Sequence, residues 1–336
     1  MRLSCLTLVL SAFSLPLSAL EIEEQRTYPA TDPQANLRIL STADIDVFEP
    51  IIAAFQEKNP TFSIQYDVAS STAVMEALYA TSSNYDLAIS SAMDLQTKLA
   101  NDGYTQSYSS DQTQAMPPWA NWHDEVFAFT QEPAVLVIST SAFEGITHPT
   151  NREDLIDLLR NQPDVFTNRI GTYDVRRSGL GYLFATQDSR NTESYWQLTE
   201  VMGRLGARLY CCSGAMIEAV ASGELALAYN VLGSYAQSRL KDTPGIKTVA
   251  LDDFVSVMLR TAVIPLSAPD PQLSGKMIDF LISARQENGL PPIAQETAQV
   301  GTVQRPIRLG PGLLVFLDKM RKETFLRSWV SSMEQN

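Results

Sequence analysis

Leu37–Leu78 reads LRILSTADIDVFEPIIAAFQEKNPTFSIQYDVASSTAVMEAL, and its change of period decides the fold. Leu37 to Leu40 is a short apolar strand. From Asp44 to Asn59 the apolar residues Val47, Phe48, Ile51, Ile52 and Phe55 share one helical face, with Asp44 as cap and Pro60 as stop. Phe62, Ile64, Tyr66 and Val68 then alternate as a strand, and Ala73 to Ala80 is helical. The alternation continues with a strand over Tyr85–Ile89 and a helix over Met93–Asn101. Strand and helix in strict succession predict a parallel sheet with crossover helices.

In such sheets, ligands bind beyond the carboxyl ends of the strands. Ser41-Thr42, Ser70-Ser71-Thr72 and Ser90-Ser91 all fall there. A helix N-terminus offers unpaired N–H groups and a partial positive charge, and hydroxyls add further donors. A single serine at such a turn is an ordinary cap; a repeated set reads as one wall of a cleft.

The pattern restarts downstream. Val126–Ser139 is a long extended run, followed by a helix over 151–161 and a strand over 169–173. Gly171–Phe184, GTYDVRRSGLGYLF, puts Thr172 and Tyr173 at a strand end, two arginines in the turn, and Ser178-Gly179 at a helix start. Small residues let a ligand approach the backbone, and Arg176 or Arg177 can grip a phosphate or carboxylate in a fork, Arg177 being the one placed in the site. Cys211–Ala219, CCSGAMIEA, opens a helix at Ser213-Gly214. Gly223–Ala236, GELALAYNVLGSYA, ends a strand at Tyr229-Asn230 and starts a helix with Ser234 and Tyr235. The second wall is therefore expected from Thr172, Tyr173, Arg177, Ser178, Gly179, Ser213, Tyr229, Asn230 and Tyr235. The first is expected from Ser41, Thr42, Ser71, Thr72 and Ser91.

Residues 1–19 read as a cleaved secretory signal: Arg2, an apolar stretch from Leu3 to Leu15, then small Ser18-Ala19. Its loss moves the net charge from -13 to -14, because Arg2 is its one charged residue. That acidity argues against nucleic-acid or anionic-membrane binding. Cys211 and Cys212 are then the remaining cysteines, and export makes a vicinal disulfide one reading, two free thiols the other. Residues 20–35 read as a leader arm. The chain is expected to build one lobe from 36–135 plus 264–336 and a second from 136–263, with two crossings forming a hinge.

Catalysis has little to rest on. The two histidines are far from any nucleophile turn, and no G-x-S-x-G, H-E-x-x-H, P-loop or G-x-G-x-x-G occurs. No cofactor is called for.

Several stretches carry a resemblance. Leu37–Leu78, Asp86–Asp94, RRSGLGY (176–182), GELALAYNVLGSYA and LGPGLLVFLDKMRKETFLRSW (Leu309–Trp329) are similar to periplasmic solute-binding proteins of the ferric-iron-binding type. The later motifs resemble most the branch of the phosphoglycerate transport regulatory protein and the hexose-phosphate binders. The resemblance implies a two-lobed type II binding protein, located in the periplasm and monomeric. It implies a small anionic or polyhydroxylated solute, handed to an ABC transporter permease or reported to a membrane sensor kinase. Iron members carry paired tyrosines after the Gly-Glu segment; here Val231-Leu232-Gly233-Ser234 precedes a lone Tyr235. The resemblance thus implies an anion cleft, with ferric-iron binding as the alternative.

Overall fold

The first repeat forms as its periodicity requires. The computed structural model describes residues 20–80, 83–240, 243–287 and 303–335; the signal expected at 1–19 lies outside them. The first lobe runs β1 (Glu24–Tyr28), β2 (Ala35–Ser41), α1 (Ile45–Lys58), β3 (Phe62–Val68), α2 (Ser71–Tyr79), β4 (Leu87–Ser90) and α3 (Met93–Asn101). Short β5 (Thr105–Gln106), α4 (Asp111–Gln114), β6 (Asn121–Trp122) and β7 (Val126–Ala128) follow. Strands β3, β2 and β4 pair in parallel, as crossover helices demand. Helix α1 buries Ile45, Phe48, Ile52 and Phe55 on this sheet, which fixes where the strand ends point.

The chain then crosses. β8 (Glu132–Ser139) opens the second lobe, with α5 (Arg152–Asn161), α6 (Pro163–Phe166), β9 (Ile170–Tyr173), α7 (Gly179–Asn191), α8 (Ser194–Arg204), β10 (Arg208–Tyr210) and α9 (Ser213–Ala221). Next come β11 (Leu227–Leu232), α10 (Gly233–Leu240), β12 (Ile246–Val249) and β13 (Val255–Met258). The return passes through β14 (Thr261–Pro265) and α11 (Pro271–Glu287), and the chain ends with β15 (Gln304–Pro306) and α12 (Lys319–Met333). The first sheet is ordered β1-β3-β2-β4-β14-β7-β6, the second β10-β9-β11-β8-β13-β15. No helix among the described residues is long and apolar enough to cross a membrane.

Three features differ from the sequence reading. The arm at 20–35 is not loose: β1 adds antiparallel to β3, from Glu24 opposite Val68 to Tyr28 opposite Ile64. The crossings fall at residues 129–131 and 259–260, ahead of the positions read from the apolar runs, because β8 and β13 already belong to the second sheet. A continuous apolar strand carries no mark where it changes sheets. The seam is marked instead by a buried ion pair, with Arg260 Nε donating to Glu132 Oε1 at 2.9 Å. Burial alone would raise the Glu132 carboxyl, but Arg260 holds it below the ordinary range.

The third difference is the C-terminus. Residues 264–336 were expected on the first lobe. Yet β15 pairs in parallel with β13, and Phe325, Trp329 and Met333 of α12 are buried in the second lobe's core. The helix read at 311–318 is two short 3-10 turns. An amphipathic helix records that it has an apolar face, not which lobe covers it.

Candidate functional site

The predicted turns meet between the lobes. Thr42, Ser71 and Ser91 line a pocket of about 90 Å³ from the first lobe; Tyr173, Arg177, Ser178, Ser213 and Tyr235 line it from the second. Each stands where a strand gives way to a helix or at that helix's start, which is why the alternation read from the sequence locates them. Cys211 and Cys212 also line it, joined as a vicinal disulfide just before α9.

The hydroxyls hold the turns and one another. Thr42 Oγ1 accepts from the Ser91 amide at 3.0 Å, and the two hydroxyls lie 3.3 Å apart. Ser178 caps α7 by accepting from Gly181 N at 3.1 Å. Ser213 accepts from Leu232 N at 3.0 Å and meets the Tyr173 hydroxyl at 2.6 Å. Arg177 is exposed at the pocket, and no hydrogen bond among the described residues engages its guanidinium.

The lobes touch across this pocket. Gly179 N donates to Ser71 Oγ at 2.9 Å, Asp44 N to the Tyr235 hydroxyl at 3.1 Å, and Thr72 Oγ1 to Arg177 O at 3.5 Å. Burial pushes the Tyr235 phenol up to about 12, so it stays a neutral hydroxyl at this contact.

Other predicted residues lie elsewhere. Ser41 is fully buried, its Oγ accepting from Ala43 N at 3.0 Å, and it shapes the turn from below. Thr172, Tyr229 and Asn230 face the second lobe's interior beside Trp329 and Met333. For Tyr229 and Asn230 the cause is a break in register in β11 between Ala228 and Val231, where Asn230 takes a φ of 61°. Both side chains turn inward and bind Asp188 Oδ2, Tyr229 Oη at 2.7 Å and Asn230 Nδ2 at 2.8 Å. A strand-end tyrosine in the sequence does not reveal such a bulge.

Two pocket residues were read otherwise. The sequence pattern makes Asp44 the cap of α1, but its side chain makes no capping bond and lines the pocket. Glu23 was part of the arm; Glu23 N donating to Val68 O at 2.8 Å carries it to the pocket's edge. Burial raises both carboxyls, helped at Glu23 by Asp44, Glu21 and Glu24, and at Asp44 by Glu24. Among the described residues, no group of three or more His, Cys, Asp or Glu is placed to hold a metal ion.

Asp94 lies in the first turn of α3, which packs against α7 of the other lobe. It is 2% exposed, and its Oδ1 has no hydrogen-bond partner among the described residues. Burial pushes its carboxyl up to about 7, against two backbone N–H bonds and the pull of Lys322. The folded form therefore keeps a proton that the unfolded chain has already released. Its contribution to stability falls as the pH rises from the unfolded value of about 4 to about 7. Asp94→Asn is expected to remove that part of the slope, raising the melting temperature more at pH 8 than at pH 4. Parallel pH profiles of the variant and the parent protein would refute this.

Two lobes of mixed α/β structure, joined by crossing strands and closed on a hydroxyl-lined pocket, define a type II binding protein. The family model for bacterial extracellular solute-binding proteins matches residues 41–205. The substrate-binding protein of an ABC transporter from Agrobacterium tumefaciens is 31% identical, with a TM-score of 0.85 over 92% of this chain and 98% of that one. The chain belongs to this family of ABC-transporter solute-binding proteins, whose members work in the periplasm or outside the cell. Lower-identity structures share the fold. AfuA from Actinobacillus pleuropneumoniae, solved with fructose-6-phosphate, is 13% identical with a TM-score of 0.71 over 90% of this chain and all of that one. Iron-bound HitA from Pseudomonas aeruginosa is 14% identical, with a TM-score of 0.66 over 89% of this chain and 99% of that one. No curated protein matches the chain.

Proposed function

We propose that the protein closes on a small solute bearing an anionic group, a phosphate or a carboxylate, and delivers it to an inner-membrane ABC permease. The observation that carries this reading is the meeting of Thr42, Ser71, Ser91, Ser178 and Ser213 with Arg177 in one interlobe pocket. Helix-start N–H groups, hydroxyls and one guanidinium are the donor types that hold oxyanions. Closure removes the solute from water, which strengthens each of these bonds. AfuA, a structural relative solved with a sugar phosphate, supports the same class of solute.

Thermal shift against inorganic phosphate, phosphoglycerates, sugar phosphates, dicarboxylates and ferric citrate tests it. A specific solute at a hundredfold excess over Kd stabilises by about 2.7 kcal/mol. Arg177→Ala is expected to weaken an anionic solute by about 1.5–3 kcal/mol, the loss of a charged hydrogen bond. A shift confined to iron would replace the anion reading with a metal one. Equal affinity of Arg177→Ala and the parent protein would remove Arg177 from the site.

A further inference from the structure

The pocket also presents Asp44 and Glu23, which anion binding alone does not use. Asp44 stands at the position that caps α1, yet its side chain leaves that helix uncapped and crosses the cleft. Its Oδ2 lies 3.4 Å from where a β-carbon on Gly214, near the start of α9, would sit. Glu23 joins it from the residue before β1, and Glu21 and Glu24 add to the negative field. Arg177 is the cation among the described lining residues; Arg260 and Arg239 act on Asp44 through space, and the Tyr235 hydroxyl hydrogen-bonds its side chain. The pocket therefore presents hydroxyl donors and one guanidinium together with two carboxylates.

An all-anionic solute would be held by the donors and repelled by the carboxylates. Sugar hydroxyls would satisfy the carboxylate oxygens as hydrogen bonds but leave their charge uncompensated. A solute with charges of both signs matches both sets of groups, and the carboxylates then select against analogues that lack the positive charge. We propose that the natural solute is zwitterionic, its oxyanion held by the hydroxyl turns and Arg177 and a protonated amine received by Asp44 and Glu23. This rests on the anion reading of the same pocket.

The test uses pairs of probes that differ only in an ammonium against a hydroxyl. O-phosphoserine with 3-phosphoglycerate is one pair, and phosphoethanolamine with 2-hydroxyethyl phosphate the other. Calorimetry on the mature protein is expected to find the amine member at least tenfold tighter in one pair or both. Asp44→Asn and Glu23→Gln are each expected to weaken the amine member about tenfold and to leave or improve the hydroxyl member. Their melting temperatures show that any loss is not unfolding. A hydroxyl member that binds as tightly as its amine partner, in an Arg177-dependent way, overturns the zwitterion alone. Absence of binding by all four probes, by inorganic phosphate and by the dicarboxylates of the thermal-shift screen overturns the anion reading with it.

Discussion

Asp188→Ala is expected to lower the folding stability by about 3–5 kcal/mol, the range for breaking a buried charge pair from one side. Asp188 is fully buried and faces Arg152, itself 3% exposed at its side chain, with Arg152 Nη2 and Asp188 Oδ1 3.6 Å apart. Arg152 also donates from Nε to the Tyr229 hydroxyl at 2.8 Å and from Nη1 to both Asp253 oxygens at 3.0 Å. Ser256 Oγ, at 3.2 Å, adds β13 to the partners of Asp188. The network thus ties α5, α7, β11 and β13 together behind the cleft. Alanine would strand the Tyr229 and Asn230 donors and deprive Arg152 of one of its two carboxylates. Urea unfolding gives the number, and a loss below about 1 kcal/mol would mean that Asp253 alone satisfies Arg152.

Gly179→Val is expected to hold the lobes apart and weaken solute binding by ten- to a hundredfold, from about 1–3 kcal/mol of overpacking. A β-carbon there would stand 2.6 Å from Ser71 Oγ, 2.9 Å from Leu95 Cδ1 and 3.1 Å from Ala92 Cβ, all in the opposite lobe. Gly179 opens α7 without a left-handed φ, so the second lobe can accept a side chain; closure cannot. The melting temperature without solute is expected to stay near that of the parent protein. Small-angle scattering should then show a larger radius of gyration that added solute does not reduce. Unchanged affinity would mean that the bound form is more open than this arrangement.

Much of this was legible before any coordinate. The 3.6-residue face of α1, the alternation of β3 and the hydroxyl turns behind each strand fix local structure through nearest neighbours, and the parallel order follows from them. Thr42, Ser71, Ser91, Arg177, Ser178 and Ser213 were named on that basis and share one pocket. Tyr229 and Asn230 follow the same rule yet both face the second lobe's interior, because a bulge in β11 breaks the alternation that puts neighbours on opposite faces. Asp44 was hidden by its own position: an aspartate before a helix reads as a cap whether or not it caps.

The sequence by itself determined the alternation of strands and helices, most of the strand ends that line the interlobe pocket, and the family. These depend on local periodicity and on short motifs, which survive in one dimension. Only the tertiary structure decided where the chain changes sheets, that β15 and α12 pack on the second lobe, and that Asp44 and Glu23 share a pocket with Arg177. Those outcomes depend on which distant surfaces exclude water together, and burial of an apolar face carries no label naming its partner.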